Sequence, residues 1–217
     1  MSSVFELDGD LLREPSVGIS DGRSPIKHRL LHRWAGMDVG AARYAVKSWP
    51  GAFYGGHLIV DLTAGDAAGD GKNLWERASS PAIFAKLASQ QMRLRVHLYE
   101  KDKAAFQALI TNLSNRLPSI GFHQDEESTW THVDTKSTVH AFFGDARNLE
   151  RFELRPCEWL FVNDDPNNMH GLVLDLPHFR RVLDMPQSDG HPRFATFMTT
   201  MGCNSGGLKR LERHHRQ

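Results

Sequence analysis

Five short apolar runs alternate along the chain with segments whose apolar residues recur at helical spacing. The runs are HLIVDL (57–62), LRVHLYE (94–100), TVHAFFGD (138–145), EWLFVND (158–164) and FATFMTTMG (194–202). Near-continuous apolar strands joined by helices are typical of a parallel sheet with helices on both faces. Because crossovers between parallel strands are right-handed, the pattern predicts a doubly wound α/β fold with a mostly parallel sheet of at least five strands.

The segments between these runs have helical character, for example SPAIFAKLASQQM and DKAAFQALITNLSNRL. Two further short helices are predicted within residues 26–50, ahead of the first strand. The first begins near Pro25, which suits a first helical turn, and the second ends at Pro50. On the first helix one apolar face holds Ile26, Leu30, Leu31 and Trp34. Residues 1–25 lack periodicity and are predicted to form an irregular arm. Residues 26–217 are predicted to form a single domain.

Composition restricts the class of protein without defining its activity. The 217 residues are 40% hydrophobic and 24% charged, as in an ordinary soluble domain. Lys+Arg and Asp+Glu both total 26, so any basic surface must be local. No apolar run approaches the roughly 20 residues that span a bilayer, and the first residues do not resemble a secretory signal. Two cysteines do not make a disulfide scaffold. We therefore expect a cytoplasmic, reduced protein without a membrane partner.

Acidic residues follow four of the five apolar runs. The first run ends in DLTAGDAAG, the second in Glu100, the third in GDA and the fourth in NDDPNN. In an open α/β sheet, ligands bind beyond the carboxyl ends of the strands near the topological switch point. The sequence therefore predicts a ligand site in which several carboxylates are tolerated.

The glycine-rich segment after the first run does not match a phosphate-binding loop. Ala67 and Asp70 stand where the G-x-G-x-x-G fingerprint requires glycine. In the G-x-x-x-x-G-K-[ST] alternative, Asp66 replaces the first glycine and Asn73 replaces the hydroxyl that binds magnesium. Together with Asp61, these aspartates would repel a pyrophosphate. A positively charged ligand without phosphate fits better.

S-adenosylmethionine is such a ligand, with a sulfonium, an ammonium group, a ribose diol and an adenine. Asp61 and the backbone of residues 64–66 would face its methionine part, and Glu100 would accept from the ribose hydroxyls. Asp145 would accept from the adenine amino group, while the Ala146 N–H donates to a ring nitrogen. The candidate cofactor-binding residues are Asp61, Ala64, Gly65, Asp66, Gly69, Glu100, Asp145 and Ala146. Singly, each acid also suits a helix N-cap or a turn.

Four segments resemble, in order, the successive motifs of class I, Rossmann-like, S-adenosylmethionine-dependent methyltransferases: LIVDLTAGDAAG, VHLYEKD, VHAFFGDA and WLFVNDDPNN. KHRLLHRW, DLTAGDAAG and SSPAIFAKLA also resemble, more loosely, the three-Cys-motif partner family. That family shows a K-H-x-x-L helix, a D-x-F-A-G-x-G loop and a G-S-P-x-x-x-L segment in this order. Thr63, Ala67 and Ser79 depart from its pattern. The resemblance implies a Rossmann-like sheet, an S-adenosylmethionine cofactor and methyl transfer.

The same resemblance implies a catalytic segment after the fourth run. Asp165, Pro166 and Asn167 stand where amino-methylating enzymes carry (Asp/Asn)-Pro-Pro-(Tyr/Phe). Asp165, or Asn163 in a shifted register, would accept a proton of the target amine. Asn167 and Asn168 replace the second proline and the aromatic residue, so the motif is incomplete. A D-P-N sequence is also a favourable turn.

Basic residues concentrate near the two ends of the chain. Lys27, Arg29 and Arg33 lie in the leading helix, and Lys209 and Arg210 lie in the last ten residues. Both clusters suit a phosphate backbone, so nucleic acid is a candidate partner, although solvated surfaces explain each cluster alone. Class I methyltransferases have further strands after the fifth, and few residues remain here. Missing C-terminal strands would leave an edge for a second copy or another protein.

The segment HQDEESTWTHVD (123–134) contains four residues of metal-binding types, namely His123, Asp125, His132 and Asp134. Their spacing matches no compact ligand motif. We expect an exposed acidic loop here and no metal site.

Three functional hypotheses remain from the sequence. The first is an S-adenosylmethionine-dependent methyltransferase that N-methylates an amine on a nucleic-acid base or a related acceptor. The second is a cofactor-binding scaffold of the same fold that has lost the chemistry and acts in a complex. The third is a different doubly wound enzyme, such as a nuclease or a hydrolase.

Overall fold

The chain has an α/β fold with three helices and a mixed seven-stranded sheet in its described part. The computed structural model describes residues 25–48, 56–68, 79–91, 93–146, 155, 158–164 and 195–199. The helices are α1 (Pro25–Ser48), α2 (Ser80–Gln90) and α3 (Lys103–Arg116), which continues into a 3₁₀ turn (Leu117–Ile120). The strands are β1 (His57–Asp61), β2 (Leu94–Glu100), β3 (Phe122–Glu126), β4 (Thr129–His132), β5 (Thr138–Phe143), β6 (Trp159–Asp164) and β7 (Ala195–Thr199).

The strand order is β3-β4-β5-β2-β1-β6-β7. The five strands from β5 to β7 are parallel, and they are the five apolar runs, which confirms this part of the prediction. Starting from β1, the chain builds outward through β2 and β5 on one side and through β6 and β7 on the other. The direction of winding therefore reverses beside β1.

An antiparallel hairpin, β3–β4, makes the sheet mixed, and the prediction of an exposed acidic loop in this segment was wrong. The physical reason is a period-two pattern that the acidic residues obscured. Trp130 is fully buried while its neighbours Thr129 and Thr131 are only half-buried. The outer strand β3 carries exposed charges and a bulge between Gln124 and Glu126, features that protect an edge strand from pairing with another chain.

The leading segment is one continuous helix, so the prediction of two short helices was wrong. Gly36 and Gly40 lie near the junction of the two predicted helices, but a glycine costs only about 1 kcal/mol in a helix interior and does not end the helix. Ala35 and Val39 continue the buried face across these glycines. Trp34 is 53% exposed and therefore lies outside the core face that the sequence predicted for it.

All three described helices pack against the same face of the sheet. Its side chains, such as Ile59 and Phe161, join one core cluster with Val39 of α1, Phe84 of α2 and Leu109 of α3. The Phe84 and Phe161 rings meet edge to face at 6.1 Å. The sequence also predicted helices on the other face of the sheet and an irregular N-terminal arm. The segments concerned lie outside the described residues.

Asp38 anchors the middle of α1 to the amino ends of three strands. Its buried carboxylate accepts from Trp159 Nε1 at 3.1 Å and from the Thr196 hydroxyl. His57 Nε2 lies 3.0 Å from the same carboxylate. Because these partners belong to β6, β7 and β1, the contact fixes α1 at the edge of the sheet opposite to the carboxyl ends.

The glycine before β1 allows a test of whether left-handed backbone geometry is required at that position. Gly56 has a φ of +96°, and a Cβ there would lie 2.8 Å from the Arg93 carbonyl oxygen. We expect Gly56→Ala to lower the free energy of unfolding by about 2 kcal/mol or more, because left-handed geometry alone costs roughly 1–2 kcal/mol. Urea denaturation measures the change. Gly36→Ala is the matched control: no atom lies within 4 Å of its Cβ, so about 0.5–1 kcal/mol of stabilisation is expected. Equal effects would contradict this account.

The sheet face opposite to the helices carries a cluster of aromatic rings on β2 and β5. The His97 ring lies 5.5 Å from His140 and 5.1 Å from Phe142, and Tyr99 stacks on Phe142 at 4.9 Å. Burial, with smaller contributions from Arg95 and His140, lowers the pKa of His97 from 6.5 to about 3. Burial also lowers the pKa of His140. Both imidazoles are therefore neutral in the folded protein near pH 7.

This cluster predicts a loss of stability in mild acid. Below pH 6.5 the unfolded chain protonates His97 and the folded chain does not, so stability falls from pH 6.5 towards pH 3. The slope from one histidine is at most about 1.4 kcal/mol per pH unit. In urea denaturation between pH 7.5 and 4.5, the free energy of unfolding of the wild type should fall more steeply with decreasing pH than that of His97→Phe. The exposed His123→Phe is the control, and equal slopes in all three proteins would contradict the prediction.

Candidate functional site

The carboxyl ends of β1, β2 and β6 meet at one edge of the sheet. The loop after β1 is fixed there by backbone hydrogen bonds to both neighbouring strands. The Leu62 N–H donates to the Asn163 carbonyl and the Ala64 N–H to the Tyr99 carbonyl, each at 3.0 Å. The loop therefore lies where the winding direction reverses, which is where ligands bind in open α/β sheets.

Glu100, the last residue of β2, connects this loop to the start of α3. One carboxylate oxygen accepts the Gly65 N–H at 2.9 Å, and the other accepts the Asp102 N–H at 2.8 Å. An ionised carboxylate has about four lone-pair positions. Two positions therefore remain for hydroxyl donors from a ligand.

The loop adopts left-handed backbone geometry at two positions. Gly65 has a φ of +67°, and no atom lies within 4 Å of the place that a Cβ would occupy. Ala67 has a φ of +53° although it carries a side chain. Ala67 stands at the position of the last glycine in the D-x-F-A-G-x-G pattern. The backbone there is therefore left-handed, as a glycine would allow, although the residue is alanine. Strained residues of this kind concentrate at functional sites.

Asp66 shapes the loop with both its side chain and its backbone. Its Oδ1 accepts the Ala68 N–H, and its carbonyl accepts from Asn112 Nδ2 of α3, each at 2.8 Å. Sequence reasoning missed Asn112, because nothing in a helical segment shows that one amide will reach a loop 46 residues away.

Three polar side chains at the carboxyl ends of β1 and β6 are almost completely buried: Asp61, Asn163 and Asp164. Asp61 and Asn163 are cross-strand partners, and Asn163 Nδ2 donates to Asp61 Oδ1 at 3.0 Å. Asn163 Oδ1 has no hydrogen-bond partner in the described part of the chain. A buried polar atom without a partner is costly for folding, so this group is a candidate ligand contact.

Phe143 is a candidate site residue that the sequence reasoning did not identify. It is the cross-strand partner of Glu100, its ring packs 5.5 Å from Phe106, and it remains 57% exposed. The Gly144 N–H donates to the Glu100 carbonyl at 2.9 Å, which holds the half-buried Asp145 and the buried Ala146 just beyond this strand end. The sequence offered one signal for this residue, the Phe142-Phe143 pair at the end of β5. Because successive strand residues point to opposite faces, one of the two rings must face the helices.

The structure thus brings together seven of the eight candidate cofactor residues along the ends of three adjacent strands, with Asn163 beside Asp61. Of the predicted site and partner residues, these lie outside the described residues: Gly69, Asp165, Pro166, Asn167, Lys209 and Arg210. Lys27 and Arg29 lie in α1, although their side chains are not described, and Arg33 is exposed on that helix.

The histidine and aspartate residues of the hairpin do not converge. His123 pairs with Asp125 at 2.9 Å on the exposed edge strand. The buried His132 accepts the N–H groups of Asp134 and Thr135 at Nδ1, each at 3.1 Å. Within the described ranges, no group of three or more His, Cys, Asp or Glu residues is arranged to hold a metal ion.

Comparison of the sequence with models of protein families gives no match, and comparison with curated proteins gives no significant match. None of the helices in the described segments combines the length and apolar character needed to cross a membrane.

Proposed function

We propose that the chain is an S-adenosylmethionine-dependent methyltransferase that acts on an amine, such as that of a nucleic-acid base. The observation that carries the proposal is the Glu100 carboxylate, which bonds to the Gly65 N–H at the point where the winding reverses. The order of the parallel strands, β5-β2-β1-β6-β7, supports a doubly wound, Rossmann-like sheet with an added hairpin.

The strand ends on the β2–β5 side fit an adenosine. The two remaining lone pairs of Glu100 suit the two hydroxyls of a ribose. The exposed ring of Phe143, on the neighbouring strand, offers a surface on which a purine can stack. Asp145 and the backbone N–H of Ala146 would pair with the edge of the base. These groups recognise a nucleoside without requiring a phosphate.

The β1–β6 side fits the positively charged half of the cofactor. Asp61 is buried there, and the left-handed Gly65 directs no side chain into the space in front of it. Carboxylates at Asp61, Asp66 and Glu100 disfavour a di- or triphosphate at this edge by like-charge repulsion. The same carboxylates attract a sulfonium and an ammonium group.

The chain's own contribution to the reaction is positioning. The cofactor supplies an electrophilic methyl group on its sulfonium sulfur. At the end of β6, Asn163 Oδ1 would accept a hydrogen bond from the target amine, and Asp61 holds this amide through its Nδ2. As the N–C bond forms and the S–C bond breaks, the amine proton would leave to solvent. Orienting a nucleophile in this way supplies most of the acceleration in a transfer of this kind.

Thermal unfolding with three ligands tests the proposal. At 100 times its dissociation constant, a ligand of the folded state adds about 2.7 kcal/mol of stability. We expect S-adenosylhomocysteine to raise Tm in this way, whereas NAD and ATP should leave it unchanged. A rise with NAD or ATP and none with S-adenosylhomocysteine would favour a different doubly wound enzyme.

A cofactor-binding scaffold without activity is the second candidate, and one observation favours it. The Asn163 amide is buried and engaged by Asp61, so an acceptor must reach it through residues that now cover it. Transfer of a labelled methyl group to DNA, RNA and cell extract separates the candidates. Labelled product supports the enzyme, and a folded, cofactor-loaded protein that labels nothing supports the scaffold.

A further inference from the structure

The solvent-facing side of α1 is positively charged along its length. Arg33, Arg43 and Lys47 are exposed, and no ion pair within the described residues neutralises them. The single acidic residue of this helix, Asp38, is buried against β1, β6 and β7. The exposed surface of α1 is therefore complementary to an anionic partner.

Two large aromatic rings share this surface. Trp34 is 53% exposed and Tyr44 is 68% exposed, with the half-exposed Met37 between them. The 3.6-residue period places these three side chains along one flank of the exposed surface and the cations Arg33 and Lys47 along the other. The helix thus presents a cationic track beside a row of rings.

A single strand of nucleic acid needs these two features side by side. Cationic side chains contact its phosphates, and aromatic rings stack on its bases. From Arg33 to Lys47 the helix rises about 21 Å at 1.5 Å per residue. A stacked strand that rises 3.4 Å per nucleotide covers this distance with about six nucleotides.

Other partners fit this surface less well. A symmetric contact with a second copy would place Arg33, Arg43 and Lys47 against the same three cations. An interfacial helix inserts a continuous apolar face into a membrane, but on α1 the charged Arg33 lies only about 20° around the helix axis from Tyr44, so the exposed rings do not form a purely apolar face. The observations therefore favour a polyanion whose bases engage the rings.

We propose that the outer surface of α1 binds single-stranded nucleic acid, with the cations on its phosphates and with Trp34 and Tyr44 stacked on its bases. This surface is separate from the strand ends that carry the proposed cofactor site. Binding is consequently independent of S-adenosylmethionine, and it is measured on the full chain without cofactor.

Fluorescence anisotropy with a labelled twelve-residue oligothymidine tests the stacking. Trp34→Ala combined with Tyr44→Ala should weaken binding at least about tenfold, since two stacked bases together contribute more than this. Trp34→Phe combined with Tyr44→Phe keeps both rings and should restore most of the affinity. Circular dichroism confirms that each variant is folded.

The salt dependence tests the phosphate contacts. Each lost contact lowers the slope of log K against log salt by about 0.7 for a single strand. Arg33→Gln combined with Arg43→Gln should therefore reduce the slope by about 1.4, while Arg116→Gln, on the exposed end of α3, should leave it unchanged. Absence of wild-type binding at low salt, or binding that neither the alanine nor the glutamine double variant alters, overturns the proposal. The proposal is also overturned if the protein binds phosphatidylserine vesicles or a second copy of itself through this surface and does not bind the oligonucleotide.

Discussion

Replacing Glu100 with alanine is expected to weaken the binding of S-adenosylhomocysteine by about 100-fold or more. The carboxylate is the proposed acceptor for both ribose hydroxyls, and a hydrogen bond to a charged group contributes about 1.5–3 kcal/mol. Two such bonds amount to about 3–6 kcal/mol, and each 1.4 kcal/mol is a factor of ten in affinity. Isothermal titration calorimetry of wild type and variant measures the difference.

Glu100 also supports the loop, because it accepts the Gly65 and Asp102 N–H groups. Urea denaturation of Glu100→Ala therefore accompanies the titration, so that loss of the fold is distinguished from loss of a ligand contact. Glu127→Ala, at an exposed position of the hairpin, removes the same charge elsewhere and should bind like the wild type. A folded Glu100→Ala that retains full affinity would show that this carboxylate does not contact the ligand.

The second large effect is on stability. Arg95 and Glu158 form a paired contact, with Nε 2.8 Å from one carboxylate oxygen and Nη2 2.6 Å from the other. The Glu158 side chain is fully buried. Removing one partner of a buried pair leaves an uncompensated charge, which typically costs about 3–5 kcal/mol. Arg95→Met should lower the free energy of unfolding by about this amount in urea denaturation.

A double variant separates the charge from the packing. Arg95→Met combined with Glu158→Leu removes both charges, and apolar replacements of a buried pair are often neutral or stabilising. The Arg155 N–H, which donates to Glu158 at 2.8 Å, loses its acceptor in this variant and accounts for a residual loss. A double variant as unstable as Arg95→Met would show that side-chain volume, not charge, explains the effect.

The parallel strands were predictable because each is a nearly continuous apolar run, and burial on both sides requires this pattern. The hairpin was not, since Trp130 alternates with threonines inside a segment whose acidic residues dominate its composition. The break predicted within α1 failed for a related reason. Gly36 and Gly40 are local signals, and the continuous burial of Ala35 and Val39 against the sheet outweighs them.

The arrangement of the candidate site residues was predictable where it depends on strand ends. Glu100 and Gly65 each follow an apolar run, and parallel pairing of β1 with β2 brings them together. Phe143 and Asn112 were not predictable, because their roles depend on which face a side chain takes and on how α3 packs against the loop. The conformation of Ala67 was also hidden, since its residue type alone argues against a left-handed backbone.

The central claim is that the ends of β5, β2, β1 and β6 bind an adenosine nucleoside that carries a sulfonium and no phosphate. Calorimetric titration of S-adenosylmethionine into the wild-type protein tests it most directly. The account predicts one binding site per chain and a dissociation constant below about 1 mM, within the range usual for enzyme ligands. A folded wild-type protein that gives no binding heat at several temperatures, and no change in Tm, would contradict it.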